Sequence, residues 1–164
     1  MEHGKPTNIK ITAGVITVSD RSYRGEREDA SGPVIIELLK SIGAEIKDFK
    51  IVPDEKDMIA DAMKTLADDL GVDLIVSTGG TGLSSRDVTP EATLEIIDKR
   101  VTGMEEAMRT ESMKVTPYGM LSRAVAGIRH RTLIINLPGS PKAVRENLSV
   151  VLPAIPHAIE IIRE

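Results

Sequence analysis

A chain of 164 residues, 41% of them apolar, is long enough for one domain whose core needs no covalent staples. The absence of cysteine excludes disulfides, zinc–thiolate sites, iron–sulfur clusters and any thiol nucleophile, a persulfide carrier included. A formal charge of −4, with Tyr23, Phe49 and Tyr118 as the aromatic residues, argues against a nucleic-acid partner, which selects basic and base-stacking surfaces.

Residues 1–9 read as a polar tail and 10–164 as a single domain. The run from Ile11 to Val18 predicts a buried strand that stops at Ser19-Asp20. A charged loop follows, and Ser31-Gly32-Pro33 opens a helix whose stripe is Val34, Leu38 and Ile42, with Gly43 as its stop. A second strand, Glu45 to Val52, ends at Pro53-Asp54. The next helix carries Ile59, Ala62, Met63, Leu66 and Leu70 on one face, and Gly71 ends it. Asp73 to Thr78 is β-branched and reads as a central strand. It runs into Gly79-Gly80-Thr81-Gly82, a loop, and then a helix opened by Thr89-Pro90. A helix from Met104 to Val115 and two short strand-like runs, Ala124 to Ile128 and Thr132 to Asn136, come next. Ser140-Pro141 starts the last helix, with a kink expected at Pro153. Pro153, Pro156 and His157 also break the best apolar run, so no membrane span is expected. With no signal-peptide core at the N-terminus, the expected location is cytoplasmic.

Alternating strands and helices imply an α/β fold: a mostly parallel sheet with helices on both faces, a three-layer α/β/α arrangement. Ligands of such sheets settle outside the carboxyl ends of the strands. Three of those ends carry suitable chemistry: Ser19-Asp20, Thr78 to Asp87, and Asn136 to Lys142. The glycines permit close backbone approach, and successive N–H groups at a helix start favour anions. A bare glycine cluster is more often an ordinary tight connection, but the stretch from Gly79 to Thr89 is long for one and dense in Ser, Thr, Arg and Asp. Arg86 can fork onto a phosphate, or pair with a surface carboxylate. Asp87 can hold Mg²⁺ or serve as a turn residue. The pattern Asp54-Glu55-Lys56-Asp57 makes Asp54 a helix cap, although Asp20, Asp54 and Asp87 all fall where strands end. Ser140 reads as a capping serine, and nothing local explains Arg123 after Ser122. Met104, Met108 and Met113 suit the core or a subunit contact.

Taken together, these residues resemble the MogA/MoaB family of molybdenum-cofactor biosynthesis proteins. The resemblance runs through Val18-Ser19-Asp20-Arg21, Gly25, Asp29 and Ser31-Gly32-Pro33, then Ile51-Val52-Pro53-Asp54. It continues through Thr78 to Gly82, Arg86 to Thr93, Met120 to Arg123, Ala126 to Arg129 and Leu133 to Gly139. It implies binding of molybdopterin, a pterin bearing a dithiolene and a terminal phosphate. It also implies adenylylation of that phosphate from ATP with Mg²⁺, releasing pyrophosphate, or else pterin binding or a scaffold role without transfer. By position, the resemblance makes Asp54 and Asp87 the catalytic and Mg²⁺-holding aspartates. It makes Thr78, Gly79, Gly80, Thr81, Gly82, Ser122, Asn136, Pro138, Gly139 and Ser140 substrate contacts, to which strand-end position and charge add Ser19, Asp20 and Arg86. It further implies self-association as a trimer or hexamer, and a metal-insertion enzyme of the same pathway as partner. No side-chain nucleophile is needed, because the substrate phosphate attacks the α-phosphorus of ATP itself.

Overall fold

The computed structural model describes residues 8–164; residues 1–7 of the expected tail lie outside them. In chain order the elements are β1 (Ile11–Val18), α1 (Asp20–Tyr23), α2 (Ser31–Ser41), β2 (Ala44–Val52), α3 (Lys56–Lys64) and β3 (Leu74–Thr78). They continue with α4 (Thr89–Ile96), β4 (Lys99–Arg100), α5 (Thr102–Val115), β5 (Ala126–Arg129), β6 (Thr132–Leu137), α6 (Pro141–Val151) and α7 (Ile155–Arg163). The six strands form one sheet in the order β2-β1-β3-β6-β5-β4. β2, β1, β3 and β6 run parallel, while β5 is antiparallel to β6 and β4 to β5.

The central strands are buried on both faces, which is why their sequences are nearly unbroken apolar runs rather than alternations. Ile11, Ala13, Val15, Leu74, Val76, Leu133 and Ile135 pack against α2, α5, α6 and α7. Ile16, Val18, Ile75 and Ile134 pack against α3 and α4 on the other face. The expected three layers are present.

Local departures have physical reasons. The helix expected to reach Leu70 leaves α-geometry at Thr65–Asp69, a π-helical turn closed by the Leu70 N–H on the Thr65 carbonyl at 3.1 Å. The wider turn keeps Leu66 fully buried over Gly14 and rotates Leu70 off the apolar face, leaving it exposed. The strand expected from Ala124 starts at Ala126 and closes a hairpin on β6, with His130 at φ 53° in the turn. Pro153, where a kink in one last helix was expected, sits in a 3-10 turn, Leu152–Ala154, that divides it into α6 and α7. Glu105 of α5 is buried. It accepts a fork from Arg100 at 3.2 and 2.6 Å and the Ala126 N–H at 3.1 Å, binding α5 to the edge of the sheet.

Candidate active site

Parallel pairing fixes the level at which strands stop. Thr17 lies opposite Thr78, Thr78 opposite Leu137, and Val18 opposite Val52, so four strands release their chains along one edge. Side chains then tie the loops together. The Thr78 hydroxyl donates to the Pro138 carbonyl at 2.6 Å, and the Gly79 N–H donates to Leu137 at 3.0 Å. The Ser31 hydroxyl reaches the Gly139 carbonyl at 2.6 Å. Between them lies a cleft of about 420 Å³.

Glycine is required at two positions in its wall. Gly79 has φ +98°, and a Cβ there would collide with the Val18 carbonyl oxygen. At Gly80, φ +69°, a Cβ would strike the Thr89 hydroxyl and stand 3.2 Å from Asp54 Oδ1. The missing side chains therefore let β3 turn out directly beside β1 and bring Asp54 against the loop. Thr89 closes the loop base: its N–H donates to Gly80 at 3.1 Å and its hydroxyl to Gly79 at 2.9 Å.

Asp54 is not the cap its sequence pattern suggests. The capping position of α3 is Glu55, which makes no side-chain cap bond. Instead Asp54 Oδ2 accepts the Asp20 N–H and Asp20 Oδ1 accepts the Asp54 N–H, both at 2.9 Å. Arg86 forks onto Asp20 at 3.1 and 3.0 Å and also meets Glu55 at 2.9 Å. Two neighbouring aspartates are thereby driven apart. The Arg86 bonds hold the Asp20 carboxyl below its ordinary range, whereas burial pushes Asp54 above it, with the Asp20 and Asp87 charges adding to the rise. Asp87 stands against Gly82 of the glycine loop, its Oδ2 accepting the Ser84 N–H at 3.0 Å.

Of the residues expected at the site, Ser19, Asp54, Thr78, Gly79, Gly80, Asp87, Gly139 and Ser140 line the cleft. Asp20, Thr81, Gly82, Arg86 and Pro138 adjoin it without lining it. Ser122 and Asn136 do not line it, although Ser122 lies next to Arg123, whose N–H meets the Thr81 carbonyl of the glycine loop. Asn136 is wholly buried: its Oδ1 accepts the Val125 N–H, and its amide donates to the Ser77 and Thr93 hydroxyls. It fastens β6 to β3 and α4, and its side chain is not available to a ligand. The Ser122 hydroxyl accepts the Ala124 N–H at 3.3 Å. Ser140 caps α6, its hydroxyl accepting the Ala143 N–H, as its sequence suggests.

Sequence reasoning missed the wall formed by Ser22, Arg27, Glu28 and Asp29. Asp29 had a readable signal, an Asx residue just before a helix. It accepts the Ser31 and Gly32 N–H groups with one oxygen and the Thr17 hydroxyl with the other. Arg27 is the one cation lining the cleft among the described residues. No three carboxylate or imidazole groups gather for a metal among those residues.

A family model described as "Probable molybdopterin binding domain" matches residues 14–157, which span every strand and loop of this edge. The chain belongs to that family. Among its molybdopterin-domain relatives, the chain is 46% identical to the molybdopterin adenylyltransferase of Helicobacter pylori, over 93% of its own length and 88% of the relative's. It is 50% identical to gephyrin of Dictyostelium discoideum over 98% of its length, and there it spans only 24% of the longer protein. The solved molybdopterin biosynthesis enzyme MoaB of Thermus thermophilus superposes with a TM-score of 0.88 at 49% identity, covering 93% of this chain and 96% of that one.

Proposed function

We propose that the chain acts in molybdenum cofactor biosynthesis by transferring AMP from ATP to the terminal phosphate of molybdopterin. The observation that carries this reading is that Asp54, against Gly80, and Asp87, against Gly82, line one cleft. The kinship with enzymes named molybdopterin adenylyltransferase supplies the reaction. A phosphate oxygen of the pterin attacks the α-phosphorus of ATP, the bond to the β-phosphate oxygen breaks, and pyrophosphate leaves.

The residues are suited to positioning and charge control rather than to covalent catalysis. The cap of α6 and the glycine turn offer backbone N–H groups to anionic oxygens. Asp54 and Asp87 are the two carboxylates that would hold Mg²⁺. A half-buried carboxylate that resists its own charge welcomes a cation, and Mg²⁺ commonly takes one or two carboxylates plus phosphates and water. When bound, the ion supplies neutralisation of the phosphate charge. Arg86 in this reading steadies Asp20 and Glu55 around Asp54, so its phosphate role gives way to an ion-pair role. Self-association belongs to the same reading. Val115, Tyr118, Met120 and Leu121, at and beyond the end of α5, form an exposed apolar surface suited to a subunit contact.

The test is to mix the protein with molybdopterin and Mg-ATP and to measure adenylylated pterin and pyrophosphate. Asp54→Ala and Asp87→Ala are expected to lower transfer by at least about 100-fold while pterin affinity stays within about twofold. Tight pterin binding by the parent protein without pyrophosphate release would favour the non-catalytic binder instead.

A further inference from the structure

Arg123 has no local reason in the sequence, and the fold supplies one. It lies between the 3-10 turn Pro117–Leu121 and β5, far along the chain from the glycine loop. Yet its guanidinium donates through Nε to the Gly82 carbonyl at 2.8 Å and through Nη2 to the Asp87 carbonyl at 2.8 Å. The third nitrogen, Nη1, meets Glu91 of α4 at 2.6 Å. Its own backbone N–H donates to Thr81 at 2.8 Å. One side chain therefore spans both ends of the segment 82–87, most of whose residues are exposed to solvent.

The arginine is itself held in place. Arg109 of α5 donates to the carbonyls on either side of it, Ser122 and Ala124, both at 3.1 Å. Arg109 also meets the buried Glu105 at 3.4 Å. A continuous set of polar contacts thus leads from the core to the loop. A planar guanidinium with separated donors bridges two carbonyls and a carboxylate at once, which a lysine ammonium cannot do with the same geometry.

We propose that Arg123 is a positioning residue of this site, fixing Asp87 against the glycine loop by bridging the Gly82 and Asp87 carbonyls. The proposal rests on the reading of Asp87 given above. Small misplacement of a reacting arrangement costs as much as about 100-fold in rate. Arg123→Lys keeps the charge and the fold and is expected to lower the turnover rate roughly 10- to 100-fold, with pterin affinity within about twofold of the parent. Amide hydrogen exchange at residues 83–88 is expected to accelerate while α5 and β6 keep their protection. Arg123→Ala is the stronger version, and where it fails to fold, Arg123→Lys and Glu91→Gln are read in its place.

Parental turnover in Arg123→Lys would overturn the proposal. So would a general loss of protection with full turnover per folded molecule, since that marks a purely structural arginine. The two readings fail separately. Unimpaired transfer in Asp87→Ala, or none in the parent protein, defeats the assignment of Asp87 or of the reaction. Selective loop exchange in Arg123→Lys then still decides whether the arginine orders the segment that carries Asp87.

Discussion

Asp20 and Asp54 are the same residue type in contact with one another, and their surroundings give them opposite tendencies. A folded-state value below the ordinary one means that the Asp20 contribution to stability is present above about pH 4 and is lost as pH falls through the lowered value. Asp54 has the reverse sign. Because its folded-state value is raised, ionisation costs stability as pH rises from the ordinary value through the raised one, and the full cost is present at neutral pH. Asp54→Asn keeps an oxygen to accept the Asp20 N–H and removes the charge. It is expected to be at least as stable as the parent at pH 7, the advantage fading below pH 4, while adenylyl transfer is lost. Thermal unfolding at both pH values, alongside the transfer assay, checks this. Full activity in the folded variant would reduce Asp54 to a scaffold residue. None of this pairing was legible in the sequence, where Asp54-Glu55-Lys56-Asp57 resembles a helix start. The partner of Asp54 lies at the end of the neighbouring parallel strand β1, distant in sequence, and local pattern carries no information about it.

At the scale of elements the sequence is far more readable. β1, β3 and β6 are covered on both faces, so each announces itself as an apolar run, and the glycine turn stands out between a strand and a proline-opened helix. The π-helical turn after α3 was not readable, because it follows from how Leu66 meets Gly14 on a strand distant in sequence. Asn136 was misjudged for a related reason. It lies inside β6, a strand buried on both faces, so its side chain enters the core on the α4 side and only the residues beyond Leu137 reach the cleft. The glycine turn yields a sharp expectation. Gly79→Ala combines a left-handed backbone with a collision against Val18, and is expected to cost more than about 3 kcal/mol by chemical denaturation. Gly103→Ala, in open space within α5, is expected to be neutral or to stabilise by up to about 1 kcal/mol. Equal effects at the two positions would show that the turn relaxes easily.

For the whole molecule the distribution of methionines is telling. Met104 and Met108 are in the core, while Met113 lies exposed near Val115, Tyr118, Met120 and Leu121. A surface of that kind is expected to be covered by further copies of the chain. Light scattering of the parent protein should give a trimer or hexamer, and the double change Tyr118→Lys with Met120→Glu should lower the mass without loss of helix content. A parent that stays monomeric at micromolar concentration would refute the contact. The fold class was open to reading from the order of strands and helices, but of this surface only Met113 was, as a core or subunit-contact residue. Sequence periodicity along α5 separates a buried face from an exposed one without showing what the exposed residues meet.

The strand order β2-β1-β3-β6 also governs when the site can come into being during synthesis. β3 is clasped between β1 and β6, yet β6 leaves the ribosome after the other five strands of this sheet. A nascent chain that stops short of Thr132 already carries Asp54, the glycine turn and Asp87. It lacks the Pro138-Gly139-Ser140 floor and leaves the apolar edge of β3 bare, an invitation to pair with another chain. Nucleotide and pterin would accordingly find no purchase on half-made protein. Once bound to the finished fold, they would hold it closed against reopening at that same seam.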